Sequence, residues 1–285
     1  MTYRERMVQG PGVDIHVVEE GPEDGVPVVF LHGFPEFWWS WRHQMAAIAG
    51  AGYRAVAMDL RGFGDSGRPD TVADYAIATA AQDVTAVIDS IGGRAAVVAH
   101  DWGGALGWVY AALVPDHVER LAVLNAPHPN TYAGVTHHLP QLQKSWYMFF
   151  FQFAGVAEDV LSRNDFELFR EWFFGTATVP LPVSDVDRYV EVFSRPGALT
   201  AALNWYRANV PPEGLLAEQR LELPPISCPA MLLWGLDDAY LEFELGRRAG
   251  EHCAGPFALH AIDGAGHWLQ QERPEVVNQH LLAFL

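Results

Sequence analysis

Cysteine is nearly absent, with only Cys228 and Cys253 in 285 residues. They lie far apart beside apolar neighbours, which leaves no disulfide framework or cysteine-rich metal site and suits two quiet thiols in a reducing compartment. Basic residues are scarce as well. Eighteen Lys and Arg stand against 35 Asp and Glu, a formal charge of −17, which argues against a nucleic-acid groove or an anionic membrane surface as partner. No apolar run of about 18 residues occurs. The segment MTYRERMVQG at residues 1–10 has two arginines and no apolar core of a secretory signal. Membrane insertion and export are therefore not expected, and a cytoplasmic protein is. Twelve histidines are present, but none forms an HExxH pair, and the adjacent His137 and His138 would face apart on a helix. No metal or cofactor is expected. Internal repeats and low-complexity tracts are missing too.

What is present is a large apolar fraction, half of all residues, enough for one large domain or a domain with an insertion. Strand-like runs alternate with helical ones: VDIHVVEE, PVVFLHG and RAVAMDL, a helical stretch over about 74–91, then AAVVAH and a helix from Gly103. This βαβα order implies a parallel sheet with helices on both faces. After VERLAVLNAP the apolar spacing turns helical, as in NDFELFREWFF and GALTAALNWYRA, and no convincing strand follows until AMLLWG and FALHAID. The chain closes on an amphipathic helix over about 274–285. The expected organisation is a core at 1–127 and 225–285, interrupted by a helical cap at 128–224.

Within the core, residues 99–104 read AHDWGG directly after the apolar run AAVV. Ala99 and Gly103 are the small flanks that a tight, strained strand-to-helix turn needs around the residue at its apex. That residue is Asp101. A plain helix N-cap at the start of a helix from Trp102 is the alternative reading. Five further motifs accompany it in order: His32-Gly33-Phe34-Pro35, DLRGFGDSGRP at 59–69, LNWYR at 203–207, WGLDD at 234–238 and GAGHW at 264–268. The glycine-rich 59–69 segment lacks the GK[ST] ending of a P-loop and reads as a structural loop.

With these six motifs the chain resembles, over nearly its whole length, an α/β-hydrolase with a helical lid, in the epoxide hydrolase and haloalkane dehalogenase branch. The resemblance implies a doubly wound, mostly parallel sheet. It also implies that Asp101 is the nucleophile, His267 the general base and Asp238 the acid that orients it, with the adjacent Asp237 as the alternative. The earlier acid position of some dehalogenases reads Leu124-Asn125-Ala126 here and offers no carboxylate. Backbone N–H groups of Phe34 and Trp102 are the implied oxyanion donors. The aromatics Phe37, Trp38 and Trp39 are expected to pack against the lid.

A carboxylate nucleophile is ionised at neutral pH and can displace a leaving group from sp³ carbon, giving an ester that must then be hydrolysed. Ordinary ester hydrolysis is disfavoured, because it would pass through a mixed anhydride. An epoxide opens to a basic alkoxide and profits from an O–H donor, whereas a halide does not need a proton. Tyr147 and Tyr206 stand where similar epoxide hydrolases carry paired lid tyrosines. Trp102, Phe151 and Trp205 are expected to line an aromatic pocket for a lipophilic epoxide. The alternative is a haloalkane or haloacid dehalogenase using the same Asp/His/Asp set. It is weakened by Phe34, where an asparagine donor is usual, and by Trp102, where a carboxylate-clamping arginine would stand. A ligand-binding homologue without turnover is a third reading, at odds with the full set of catalytic residue types. Oligomeric state, enantiopreference and the physiological substrate are not legible.

Overall fold

The computed structural model describes residues 3–133, 138–216 and 220–285. His137, of the histidine pair noted above, lies outside the described residues, as do the first two residues of the N-terminal segment. Eight strands form one sheet: β1 (Arg4–Gln9), β2 (Asp14–Glu20), β3 (Pro27–Leu31), β4 (Arg54–Met58), β5 (Ala95–His100), β6 (Val118–Leu124), β7 (Ala230–Gly235) and β8 (Phe257–Ile262). Their spatial order is β1-β2-β4-β3-β5-β6-β7-β8. β2 pairs antiparallel with β1 and β4, and all remaining pairs are parallel. This is the α/β-hydrolase architecture that the motifs implied. β1 was not anticipated. Its sequence RERMVQ has no apolar run, because it is an edge strand whose charged side chains are partly exposed while β2 supplies the pairing.

Helices α1 (Arg42–Gly50), α2 (Ile77–Asp89) and α3 (Asp101–Leu113) alternate with the central strands. Between β6 and β7 the described chain is helical: α4 (Pro129–Tyr132), α5 (Leu139–Lys144), α6 (Trp146–Phe150), α7 (Val156–Phe173, broken at 163–166), α8 (Val183–Ser194), α9 (Ala198–Asn209) and α10 (Pro212–Leu216). The chain ends with α11 (Phe243–Arg247), α12 (Leu269–Glu272) and α13 (Pro274–Phe284). No helix of the described residues is long and apolar enough to cross a membrane. Both cysteines are free.

Two apolar layers flank the sheet. One joins α1 and α13 to β3, β4 and β5 through residues such as Phe30, Trp41, Ile48 and Leu281. The other carries α2 and α3 and continues into α6 to α9. Two of the 37–39 aromatics make the expected contact with the inserted helices: Phe37 packs on Tyr189 of α8, and the Trp39 indole donates to Asp185 at 2.9 Å, whereas Trp38 packs on Tyr3.

Strand β5 is buried from end to end, and its small residues let α3 pack closely. The start of α3 has no room to spare. A Cβ on Gly103 would lie 2.3 Å from the Leu31 carbonyl oxygen and 2.5 Å from that of His32, both backbone atoms that cannot step aside. Gly103→Ala should therefore cost about 2 kcal/mol, in the range of overpacked cores. Gly50, at the end of α1, has nothing within 4 Å of such a Cβ, and Gly50→Ala should be neutral or slightly stabilising. Thermal melts of the two variants check the contrast: a fall of several degrees is expected for Gly103→Ala alone.

Candidate active site

The chain turns from β5 into α3 at Asp101, whose backbone is left-handed with φ of 50°. Few non-glycine residues sit there without strain. The turn lifts the side chain above the C-terminal ends of the parallel strands, where Gly33 comes so close that a Cβ on it would fall 2.3 Å from Asp101 Cβ. The Phe34 N–H donates to Asp101 Oδ1 at 2.8 Å. Trp102 stands in the first turn of α3, so its N–H has no intrahelical acceptor. The Asp101 side chain remains 16% exposed, enough for a small molecule to reach it.

His267 follows β8 and bridges two carboxylates. Its Nε2 lies 3.6 Å from Asp101 Oδ2, and its Nδ1 pairs with Asp238 Oδ2 at 2.8 Å. Asp238, at the end of β7, is held in turn. Its Oδ1 accepts the N–H groups of Tyr240 and Leu241, at 2.7 and 3.0 Å, and its Oδ2 accepts Asn125 Nδ2 at 2.7 Å. Asp237 takes no part in this bonding; the carboxylate facing His267 is that of Asp238. Burial opposes charge on all three groups, yet mutual attraction outweighs it. Both aspartates are held below the ordinary carboxylate range, and His267 is pushed up to about 10 by Asp238 and Asp101.

A cavity of about 430 Å³ opens over Asp101. The core contributes Ile77, Trp102, Ala105 and Ala126, and the inserted helices contribute Met148, Tyr206, Ala208 and Val210. Two further polar wall residues are already engaged. Tyr132 bonds to Ser145 Oγ at 2.6 Å, and Asn209 bonds to Tyr75, Trp205 and Ile77. The buried Trp102 indole N–H lies beside the Tyr206 phenol without a well-aligned hydrogen bond. Tyr147 is buried beside Tyr206, ring centroids 5.8 Å apart, and does not itself form the wall. Burial, with Asp101 adding to it, raises both phenols well above their ordinary value, so each keeps its proton.

Two expected wall residues lie elsewhere. Phe151 and Trp205 are fully buried and absent from the wall. Phe151 packs on Tyr206 and Phe34, and Trp205 backs Trp102 while its indole donates to the Arg61 carbonyl at 3.0 Å. They support the layer that faces the cavity. Sequence reasoning also passed over Asn125, which has a left-handed φ of 40° at the end of β6 and braces Asp238. Its place at the end of a parallel strand, beside the strand that carries Asp238, was the available signal. Elsewhere, His16, Asp59 and Asp65 bring potential metal-ligand atoms within 4.8 Å of one another. The Asp59 oxygens already bind His16 and the N–H groups of Trp38 and Asp65, so the trio braces its loop.

Among known proteins, the chain matches the family model described as alpha/beta hydrolase fold over residues 26–274. It is 38% identical to AB hydrolase superfamily protein YfhM of Bacillus subtilis, over 98% of this chain and 97% of that one. Identity to Epoxide hydrolase 4 of Homo sapiens is 35%, covering 98% of this chain and 77% of that protein. The crystal structure of Epoxide Hydrolase A from Mycobacterium thermoresistibile superposes with a TM-score of 0.86 at 33% identity, covering 100% of this chain and 98% of that one.

The elevation of His267 has a testable source. With a folded value near 10, above the ordinary 6.5 or so, its extra proton stabilises the fold fully below about pH 6.5. That contribution fades as pH rises towards 10. Asp101→Asn removes one of the two attracting charges while keeping the shape. An NMR titration of the His267 ring should show protonation persisting well above neutral pH in the wild type and a lower pKa in Asp101→Asn. Equal values in the two proteins would exclude Asp101 as a source of the shift.

Proposed function

The chain belongs to the α/β-hydrolase fold family, and on that premise we propose that it is an epoxide hydrolase, opening a lipophilic epoxide to a vicinal diol through an ester on Asp101. The observation that carries this reading is that an ionised Asp101 and the protonated phenol of Tyr206 share the wall of an apolar cavity, with the His267–Asp238 pair against the same carboxylate.

In the first step an Asp101 oxygen attacks an epoxide carbon, the ring C–O bond breaks, and the departing oxygen takes a proton from Tyr206, with Tyr147 beside it as the second donor. Ester formation consumes the Asp101 charge. His267 then loses one of the charges that held its proton, returns that proton to the phenolate, and becomes the neutral base that the second step needs. It takes a proton from a water that attacks Asp101 Cγ, while the N–H groups of Phe34 and Trp102 serve the developing oxyanion. Collapse breaks the ester bond, the hydroxyl that water added at Asp101 Cγ passes its proton to the departing alkoxide, and the carboxylate is restored beside protonated His267 as the diol leaves. Asp238 orients the imidazole throughout and balances its charge. The substrate reading follows from the wall: Asp101 is its only charged residue among those described, and its other polar side chains are mostly engaged. A cytoplasmic setting is part of the same proposal.

The Trp102 indole in the cavity wall beside Asp101 is an N–H donor for a second reading, in which a halide departs instead. A panel of aryl and alkyl epoxides and haloalkanes, scored for diol and for released halide without added metal, decides between them. Halide release with every epoxide ignored would replace the first reading by the second.

His267→Gln should still be alkylated but should hydrolyse the ester very slowly, so that intact-protein mass spectrometry finds one substrate mass on each active site. Single turnover in oxygen-18 water should leave label in the Asp101 carboxylate and none in the diol. Immediate labelling of the diol would mean direct attack by water and would remove the ester mechanism.

Tyr206→Phe and Tyr147→Phe should each slow epoxide opening by about 10²-fold, the range of a lost positioned acid. The double variant should be nearly inactive, with losses that do not simply multiply because both hydroxyls serve one oxygen. Rapid-quench measurement of the alkylation step reads this directly; near-normal opening by the double variant would exclude both tyrosines as the acid.

A further inference from the structure

Behind the proposed nucleophile and base lies a buried carboxylate that the chemistry above does not use. Glu36 has no exposed surface and stands two residues after Phe34, the donor to Asp101. Its Oε2 meets His100 Nδ1 at 2.9 Å. Gln270 Nε2 donates to both of its oxygens, at 2.8 and 3.1 Å, and Gln271 Nε2 donates to Oε1 at 2.7 Å. Such a carboxylate is stable in the interior only while its acceptors stay occupied.

His100 carries the connection forward. It is the last residue of β5, directly before Asp101, and its Nε2 lies 2.8 Å from the backbone carbonyl of His267. That carbonyl only accepts, so Nε2 is the donor there, while Nδ1 faces Glu36 Oε2 and lies 3.2 Å from Gln270 Nε2. The His100 and His267 rings also touch, with centroids 4.8 Å apart. Glu36 thus joins the Phe34 loop, the turn at Asp101 and the loop of His267. The chain of bonds continues outward: Gln271 Oε1 accepts from Tyr189 of α8 at 3.0 Å and from Arg42 at 3.1 Å, and Arg42 pairs with Asp185 of α8 at 2.7 Å.

We propose that Glu36 is a positioning residue for ester hydrolysis, acting through His100 on the placement of His267 and through its own loop on the Phe34 N–H. The inference rests on the epoxide hydrolase reading and narrows it to one half-reaction. His267 acts as a base only in the attack of water on the ester, so a shift in its placement falls on that half-reaction, whereas the Phe34 N–H touches both halves, as donor to the Asp101 carboxylate and then to the oxyanion. A general loosening of the fold would weaken both halves alike.

Glu36→Gln keeps the shape and turns one acceptor into a donor. Its expected signature is a hydrolysis step slowed about tenfold in single turnover, the scale of one lost charge-assisted hydrogen bond, with alkylation changed less than about twofold. In steady state, kcat and KM then fall together while kcat/KM holds. His100→Phe, which keeps a ring and drops both nitrogens, should show the same pattern. The double variant should be no slower than the worse single one, because the two residues act in series. Parallel loss of both half-reactions, losses that multiply, or no change at all would overturn the proposal. If the wild type opens no epoxide, the function reading fails, and the positioning role is read separately from NMR of ¹⁵N-histidine-labelled protein. There Glu36→Gln should move or split the His267 ring signals; unchanged signals would refute it.

Discussion

A left-handed backbone at an aspartate costs of the order of 1–3 kcal/mol unless its surroundings leave no alternative. The rest of the site depends on that constraint at Asp101. It is met by removal of side chains: Gly33 and Gly103 have no Cβ because the neighbouring backbone or Asp101 itself occupies the space one would take. With that room cleared, the carboxylate stands free of the sheet, reachable from the cavity and held by the Phe34 N–H. Asn125 repeats the device at the end of the adjacent strand β6, where a left-handed turn points its amide at Asp238. Two strained positions on neighbouring strands thus set the nucleophile candidate and the brace of its distant acid.

The electrostatics follow from this placement. A buried carboxylate and a largely covered one, each within reach of a ring nitrogen of one imidazole, stabilise its cation, so the group proposed as a base rests protonated at neutral pH. That is a poor state for a base, and it changes only when one partner loses its charge. Esterification of Asp101 would do this without any movement of the fold. The histidine's readiness to accept a proton is then tied to completion of the preceding step. The phenols behave in the complementary way, since burial beside an anionic Asp101 keeps their protons in place until a strongly basic oxygen forms.

The legible and illegible parts of the molecule divide along physical lines. Strands β2 to β8, the long helical interruption and the last helix announced themselves by apolar period, because each buries a continuous face. Edge strand β1 buries little and did not. Asp101, His267 and Asp238 were singled out by the strand-to-helix turn and by a resemblance that sets residue types at the ends of particular strands, and the structure brings those three side chains together. Phe151 and Trp205 show the limit: an aromatic residue on an amphipathic helix looks the same whether it faces a cavity or the layer behind it. The network of Glu36, His100, Gln270 and Gln271 was hidden for another reason. It joins residues from separate stretches of chain by side-chain hydrogen bonds, and such bonds leave no period or spacing in the sequence.

The cavity wall contains Ala105 and Ala126 from the core and Ala208 from α9, facing a space of about 430 Å³. Alanines at a binding wall act as adjustable stops, since lengthening one trims the room for a guest without touching an ionisable group. In an apolar pocket each methylene gained or lost by the guest is worth about 1–3 kcal/mol of discrimination. Under the proposed reading, one methyl added or removed at such positions would retune which guest fits while leaving the ionisable groups untouched.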